Sequence, residues 1–132
     1  MVTVLFACVQ NAGRSQMAAA LFNLNADPQR AHAISAGTKP TTHVHGVLVD
    51  SMRELGVDLA GREPQRLTDE LARQAQWLIT MGCGDACPVV PGVHRDDWPI
   101  QDPKDQPPEV VRAIRDEVES RVRALIAAQG WN

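Results

Sequence analysis

The chain has 132 residues, of which 44% are apolar and 22% charged, with a formal net charge of −3. That is the make-up of one globular domain of ordinary size, residues 1–132, with enough chain to bury a real core, and the sequence holds no basic tract of the kind that tracks a nucleic-acid backbone. The apolar run at positions 2–7 is ended by Gln10, Asn11 and Arg14, too soon for a secretory core or a membrane span, so a cytoplasmic protein with no membrane partner is expected.

Val2 to Ala7 is β-branched and apolar on both faces, which predicts a buried parallel strand. A loop at 8–13 leads into a helix with Met17, Leu21 and Leu24 on one face, broken at Asp27-Pro28. His32 to Gly37 reads as a second strand. Val44, Val47, Leu48, Met52 and Leu55 keep helical spacing, with Gly56 as a C-terminal stop. Thr68 caps a short helix through Arg73, and Trp77 to Met81 is a third buried strand. Residues 82–108 are rich in Gly, Pro and Asp and hold one further short strand near 93–97. Val111, Ile114, Val118, Val122 and Leu125 form the stripe of a final helix, read as a packing element with charged outer faces. Strands alternating with helices imply parallel βαβ units with helices on both sheet faces. In such folds ligands bind beyond the carboxyl ends of the strands.

The loop after the first strand is Cys8-Val9-Gln10-Asn11-Ala12-Gly13-Arg14-Ser15. A strand-to-helix turn aims successive backbone N–H groups inward, and the helix start adds its positive dipole end, so an oxyanion is held without lysines. Gly13 permits close backbone approach, and Arg14 can fork two anion oxygens. Asn11 suits a left-handed turn or a bracing side-chain bond. The same N–H groups and dipole favour the thiolate of Cys8, the nucleophilic form, and Ser15 can donate its hydroxyl to it. The Cys-x5-Arg spacing alone carries little; its setting between a buried strand and a helix carries the reading.

Four separated segments then agree with one family. Val4 to Cys8 with Asn11 to Met17, Ser35-Ala36-Gly37-Thr38, Met81 to Pro88, and Trp98 to Asp102-Pro103 stand in the order found in the low-molecular-weight protein tyrosine phosphatase superfamily. They resemble its arsenate reductases most closely. The resemblance covers essentially the whole chain and implies a four-stranded parallel sheet of flavodoxin-like character. It implies Cys8 as nucleophile, residues Val9 to Ser15 as the oxyanion loop, Arg14 within it, Ser35 in support, and arsenate as substrate, with phosphate or sulfate competing. No cofactor is implied. Some relatives carry Glu at the position of Ala19 as part of a cation site; this sequence does not, so no metal is expected there.

Expelling hydroxide from a tetrahedral arsenate centre needs a proton donor. Pro103 restricts Asp102 to an extended backbone, and the resemblance makes an Asp-Pro at this place the general acid. Asp85, Asp96, Asp97 and Asp105 are rivals on composition. Cys83 and Cys87 are four apart, which on a helical turn sets their Cα atoms roughly 6 Å apart, within disulfide reach. They follow the third strand, so they belong at the same sheet end as Cys8, and a Cys8/Cys83/Cys87 relay regenerated by thioredoxin is chemically natural. Alternatives stay open: half a zinc site, for which only His94 adds a candidate ligand; Cys83 resolving alone; or an external thiol such as mycothiol, with mycoredoxin, or glutathione.

A tyrosine phosphatase holds its ring between aromatic walls. Here there is no Tyr, Phe6 and Trp77 fall in predicted strands, and Lys104-Asp105-Gln106 follows the Asp-Pro. Reduction is therefore favoured over phosphate-ester hydrolysis, which remains as a weak side activity on small esters. His32, His43, His45 and His94 read as surface or loop residues, and Arg62 and Arg66 as solvated-face residues near the entrance. An anion-binding redox sensor would use Cys8 without an acid, and Asp102 discriminates against it.

Overall fold

The computed structural model describes residues 1–82 and 90–132. Its strands are β1 (Val2–Cys8), β2 (Ala31–Gly37), β3 (Trp77–Thr80) and β4 (His94–Asp97). Its helices are α1 (Arg14–Asn25), α2 (Gly46–Arg53), α3 (Asp69–Arg73) and α4 (Pro108–Gln129). The sheet runs β2-β1-β3-β4, and every pairing is parallel. The strands so predicted are found, with ends moved by a residue or two.

β1 is central, and Val4 to Cys8 are all buried. Alternation then sorts the core into two layers. Val4, Phe6 and Cys8 pack with Met17, Leu21, Leu48, Met52 and Val118 from α1, α2 and α4. Leu5 and Ala7 face the other side, against Ala36, Ala72, Ala75 and Leu78 under α3. Helices thus cover both faces. The register pairs Cys8 with Gly37 and Ala7 with Thr80, so three strands deliver their carboxyl ends to one edge.

Two expectations change, for Leu24 and for the final helix, and the expected fourth strand proves wholly exposed. Leu24 is not on the buried face of α1 but 54% exposed; the helix is enclosed from Ser15 to Phe22, and its last turn runs past the layers that cover it. Every residue of β4 is exposed, so this strand carries no apolar signal; it is an edge strand, where charge discourages pairing with other chains. The final helix also does more than pack. Arg115 is buried and donates to the Ser51 carbonyl (2.9 Å) and to Glu54 (2.8 Å), while Arg112 forks the same carboxylate at 2.8–3.0 Å. These hydrogen bonds from Arg112 and Arg115 hold the Glu54 carboxyl down from 4.5 to about 2 and clamp α2 to α4. Among the described residues no helix is long and apolar enough to cross a membrane.

Candidate active site

β1 delivers Cys8 to the carboxyl edge of the sheet, and α1 begins at Arg14. The 38–45 segment braces the intervening loop along its main chain. The N–H groups of Thr38, Lys39, Thr41 and His45 donate to the carbonyls of Cys8 (3.1 Å), Val9 (2.8 Å), Gln10 (3.1 Å) and Ala12 (2.9 Å). No peptide bond here is cis, and in a trans peptide the N–H points opposite the C=O it shares a plane with. The N–H groups of Val9, Gln10, Asn11 and Gly13 therefore turn away from the 38–45 segment, into the concave side of the loop. None of the N–H groups from Val9 to Gly13 donates to a backbone acceptor among the described residues. Inward main-chain N–H groups at a helix start are an arrangement that can hold an anion.

Asn11 takes the left-handed conformation (φ 52°) and is fully buried. Its Nδ2 donates to Ser15 Oγ at 2.7 Å, and Ser15 Oγ lies 2.9 Å from Cys8 Sγ. Asn11 Oδ1 accepts from Gln16 Nε2 (3.2 Å) and from the main-chain N–H of Gln65 (2.9 Å). Cys8 itself is buried, 2% exposed.

Arg14 lies alongside. Its Nη2 is 3.6 Å from Asp102 Oδ2 and its Nη1 donates to the Ile100 carbonyl at 3.3 Å. Its Nε is buried without an acceptor among the described residues, a donor that a bound oxyanion would satisfy. Asp102 Oδ1 accepts the Lys104 N–H at 3.0 Å, which orients the carboxylate after the Pro103 turn. Two of its rivals are engaged elsewhere: Asp96 accepts from Trp98 Nε1 (3.2 Å) and Asp97 from Thr80 Oγ1 (2.6 Å). Asp105 sits in a left-handed turn (φ 59°), and Asp85 lies outside the described residues.

Two glycines make the arrangement possible, and neither was legible as functional from spacing. A Cβ on Gly37 would stand 2.6 Å from the Val9 carbonyl oxygen and 2.8 Å from Asn11 N. A Cβ on Gly82 would stand 2.4 Å from Arg14 Nη1. His45, read as a loop residue, is half-buried; its ring and Pro103 both pack against Gly13. His94 stacks on Trp77 at 4.8 Å. Ser35 contributes its carbonyl, which accepts from Gln65 Nε2 at 2.7 Å. Arg62 lines a polar pocket of about 160 Å³ with Gln16, Ala19, Ser35, Glu63 and Gln65, behind the loop rather than at its mouth. Among the described residues no group of three or more His, Cys, Asp or Glu side chains could hold a metal ion. Cys83 and Cys87 lie outside the described residues.

The structure thus brings a thiol at a strand end, inward main-chain N–H groups, a guanidinium and a carboxylate to one place, a set of groups that could bind and attack an oxyanion. The chain belongs to the low molecular weight phosphotyrosine protein phosphatase family, whose model matches residues 3–130. It is 37% identical, over 89% of its length and 85% of the relative's, to a putative arsenate reductase of Halobacterium salinarum. It is 32% identical to the glutaredoxin arsenate reductase of Synechocystis, covering 96% and 98% of the two chains. The solved thioredoxin-dependent arsenate reductase of Corynebacterium glutamicum superposes with a TM-score of 0.84 at 38% identity, over 97% of this chain. This chain spans 61% of that one.

Proposed function

We propose that the chain reduces arsenate to arsenite, with Cys8 as nucleophile and thioredoxin as reductant. The observation that carries this is the Cys8 sulfur held 2.9 Å from the Ser15 hydroxyl, at the base of a loop whose Cys8, Val9, Gln10 and Ala12 carbonyls are bonded to the 38–45 segment. The identities to named arsenate reductases support the choice of arsenate.

In the first step the Cys8 thiolate attacks arsenic held by the loop N–H groups and Arg14. An As–O bond breaks, and Asp102 gives its proton to the departing hydroxide, which leaves as water. In the second, the Cys83 thiolate attacks Cys8 sulfur. The S–As bond breaks with its electron pair on arsenic, As(V) becomes As(III), and a Cys8–Cys83 disulfide remains. Cys87 then attacks Cys83, freeing the Cys8 thiolate and leaving a Cys83–Cys87 disulfide for a dithiol to reduce. Two thiols are oxidised for one arsenic reduced by two electrons.

Cys87→Ser tests the relay. With stoichiometric arsenate it should complete one turnover and stop as a single Cys8–Cys83 disulfide, read by mass spectrometry. Cys83→Ser should lose arsenate turnover and keep hydrolysis of small phosphate esters, which needs water and not a second thiol. If Cys87→Ser cycles repeatedly with thioredoxin, the three-cysteine relay is wrong. If Cys83→Ser still cycles with mycothiol and mycoredoxin, or with glutathione and glutaredoxin, the enzyme is a thiol transferase working through Cys8 alone.

A further inference from the structure

The hydrogen bonds behind Cys8 form a chain with a direction, and one end of it cannot reverse. A thiolate has no hydrogen to give, so the short contact with Ser15 is useful to it only if the hydroxyl hydrogen points at sulfur. That holds when Ser15 Oγ takes its other bond as an acceptor, as it does from Asn11 Nδ2 at 2.7 Å. Were the Asn11 amide turned over, its oxygen would face Ser15, claim the hydroxyl hydrogen, and leave sulfur facing a lone pair.

Two groups hold the amide the right way round. Gln16 Nε2 lies 3.2 Å from Asn11 Oδ1, but Gln16 carries an amide of its own and could turn with Asn11, offering oxygen in place of nitrogen. The Gln65 main-chain N–H, 2.9 Å from the same oxygen, has no such freedom: it is a donor only. It is also fixed in place, across 54 positions of sequence. The Gly37 N–H donates to the Gln65 carbonyl (2.9 Å), the Leu67 N–H donates to the Gly37 carbonyl (2.8 Å), and Gln65 Nε2 donates to the Ser35 carbonyl (2.7 Å). The 65–67 segment is thereby stitched to the outer edge of β2, beside the catalytic loop. Asn11, Ser15, Gln16 and Cys8 are all at most 5% exposed, so water does not offer these groups alternative partners, and a reversed amide would leave donor facing donor.

We propose that Gln65 is a positioning residue for Cys8, its main-chain N–H setting the direction of the Asn11–Ser15–Cys8 chain. The inference rests on the reading of Cys8 as a thiolate nucleophile. It is the part of that reading that reaches outside the Cys8 loop: a backbone atom far along the chain sets whether the Ser15 hydroxyl hydrogen or a lone pair faces the Cys8 sulfur.

The test is the rate of Cys8 alkylation by iodoacetamide as a function of pH, in the full chain, with phosphate protection identifying the Cys8 signal. Ser15→Ala should slow alkylation at neutral pH about tenfold or more, the worth of one hydrogen bond to a charged group. Gln65→Pro deletes the N–H and should slow it by at least about threefold toward that limit, moving the pH profile in the same direction. Gln65→Ala, which keeps the N–H and loses only the bond to Ser35, should slow it less than Gln65→Pro does. In a Ser15→Ala background Gln65→Pro should add nothing, because no hydroxyl remains to be aimed; general loosening of the loop would slow the double variant further. If Gln65→Pro reacts as the parent does, or if the two effects add, the inference is wrong. Should Gln65→Pro not fold, Gln16→Met decides: it should cost less than Ser15→Ala, and an equal cost would make the Gln16 side chain the anchor and overturn the assignment to Gln65. A parent protein whose Cys8 alkylates no faster than free cysteine would instead sink the nucleophile reading itself.

Discussion

Replacing Gly82 with Ala should separate anion binding from stability, because of what the new methyl group would meet. Its Cβ would stand 2.4 Å from Arg14 Nη1 and 3.2 Å from Arg14 Cζ, with no backbone atom among the near neighbours. The far end of a long side chain can swing away, so the collision itself costs the fold little. The backbone costs more: Gly82 has φ +98°, and an L-residue there loses about 1–2 kcal/mol. The displaced guanidinium is the larger loss to function. A charge-assisted hydrogen bond contributes roughly 1.5–3 kcal/mol, and each 1.4 kcal/mol is about tenfold in affinity. Arsenate and phosphate should therefore bind about 10- to 100-fold more weakly to Gly82→Ala, with a moderate drop in thermal midpoint. Calorimetric titration with phosphate and a thermal melt measure the two effects. Gly37→Ala is the contrast, since its Cβ would strike the Val9 carbonyl oxygen at 2.6 Å and Asn11 N at 2.8 Å. Those are main-chain atoms of the loop, so stability and binding should fail together. A Gly82→Ala protein that binds phosphate as tightly as the parent would refute the placement of Arg14 as an anion ligand.

Asp102→Asn should slow formation of the Cys8 adduct by about 10²–10⁴-fold, the usual contribution of a general acid, without weakening phosphate binding; loss of binding with an unchanged bound-state rate would make Asp102 structural. Glu54→Gln tests the α2–α4 clamp. The Glu54 carboxyl is held at about 2 in the folded chain against 4.5, a depressed value, so its contribution is fully present above pH about 4.5 and is lost as pH falls through about 2. The parent should melt above Glu54→Gln at neutral pH, with the gap closing across that acid window; a gap independent of pH would mean that lost packing, not charge, is responsible.

What could be read from sequence was whatever is local in the chain. The central strand showed itself because a strand buried on both faces is apolar at every position, as Val4 to Ala7 are. The candidate loop showed itself because Cys8, Gly13, Arg14 and Ser15 are close neighbours in one strand-to-helix turn, and a turn's chemistry is set by neighbours. The start of α3 followed from Thr68, whose hydroxyl accepts the Leu71 N–H. Tertiary structure decided everything that depends on which distant segment arrives beside the loop. Asp102 stands apart from its rivals because Arg14 reaches it across 88 positions, whereas Asp96 and Asp97 are taken up by Trp98 and Thr80. β4 was nearly silent, since an exposed edge strand has no apolar alternation to show. The roles of Gly37, Gly82 and Gln65 were invisible for a common physical reason: they act through a missing Cβ or a main-chain N–H. Such features acquire meaning only when the fold brings another backbone to within hydrogen-bonding or steric reach, and no pattern of residue types records that.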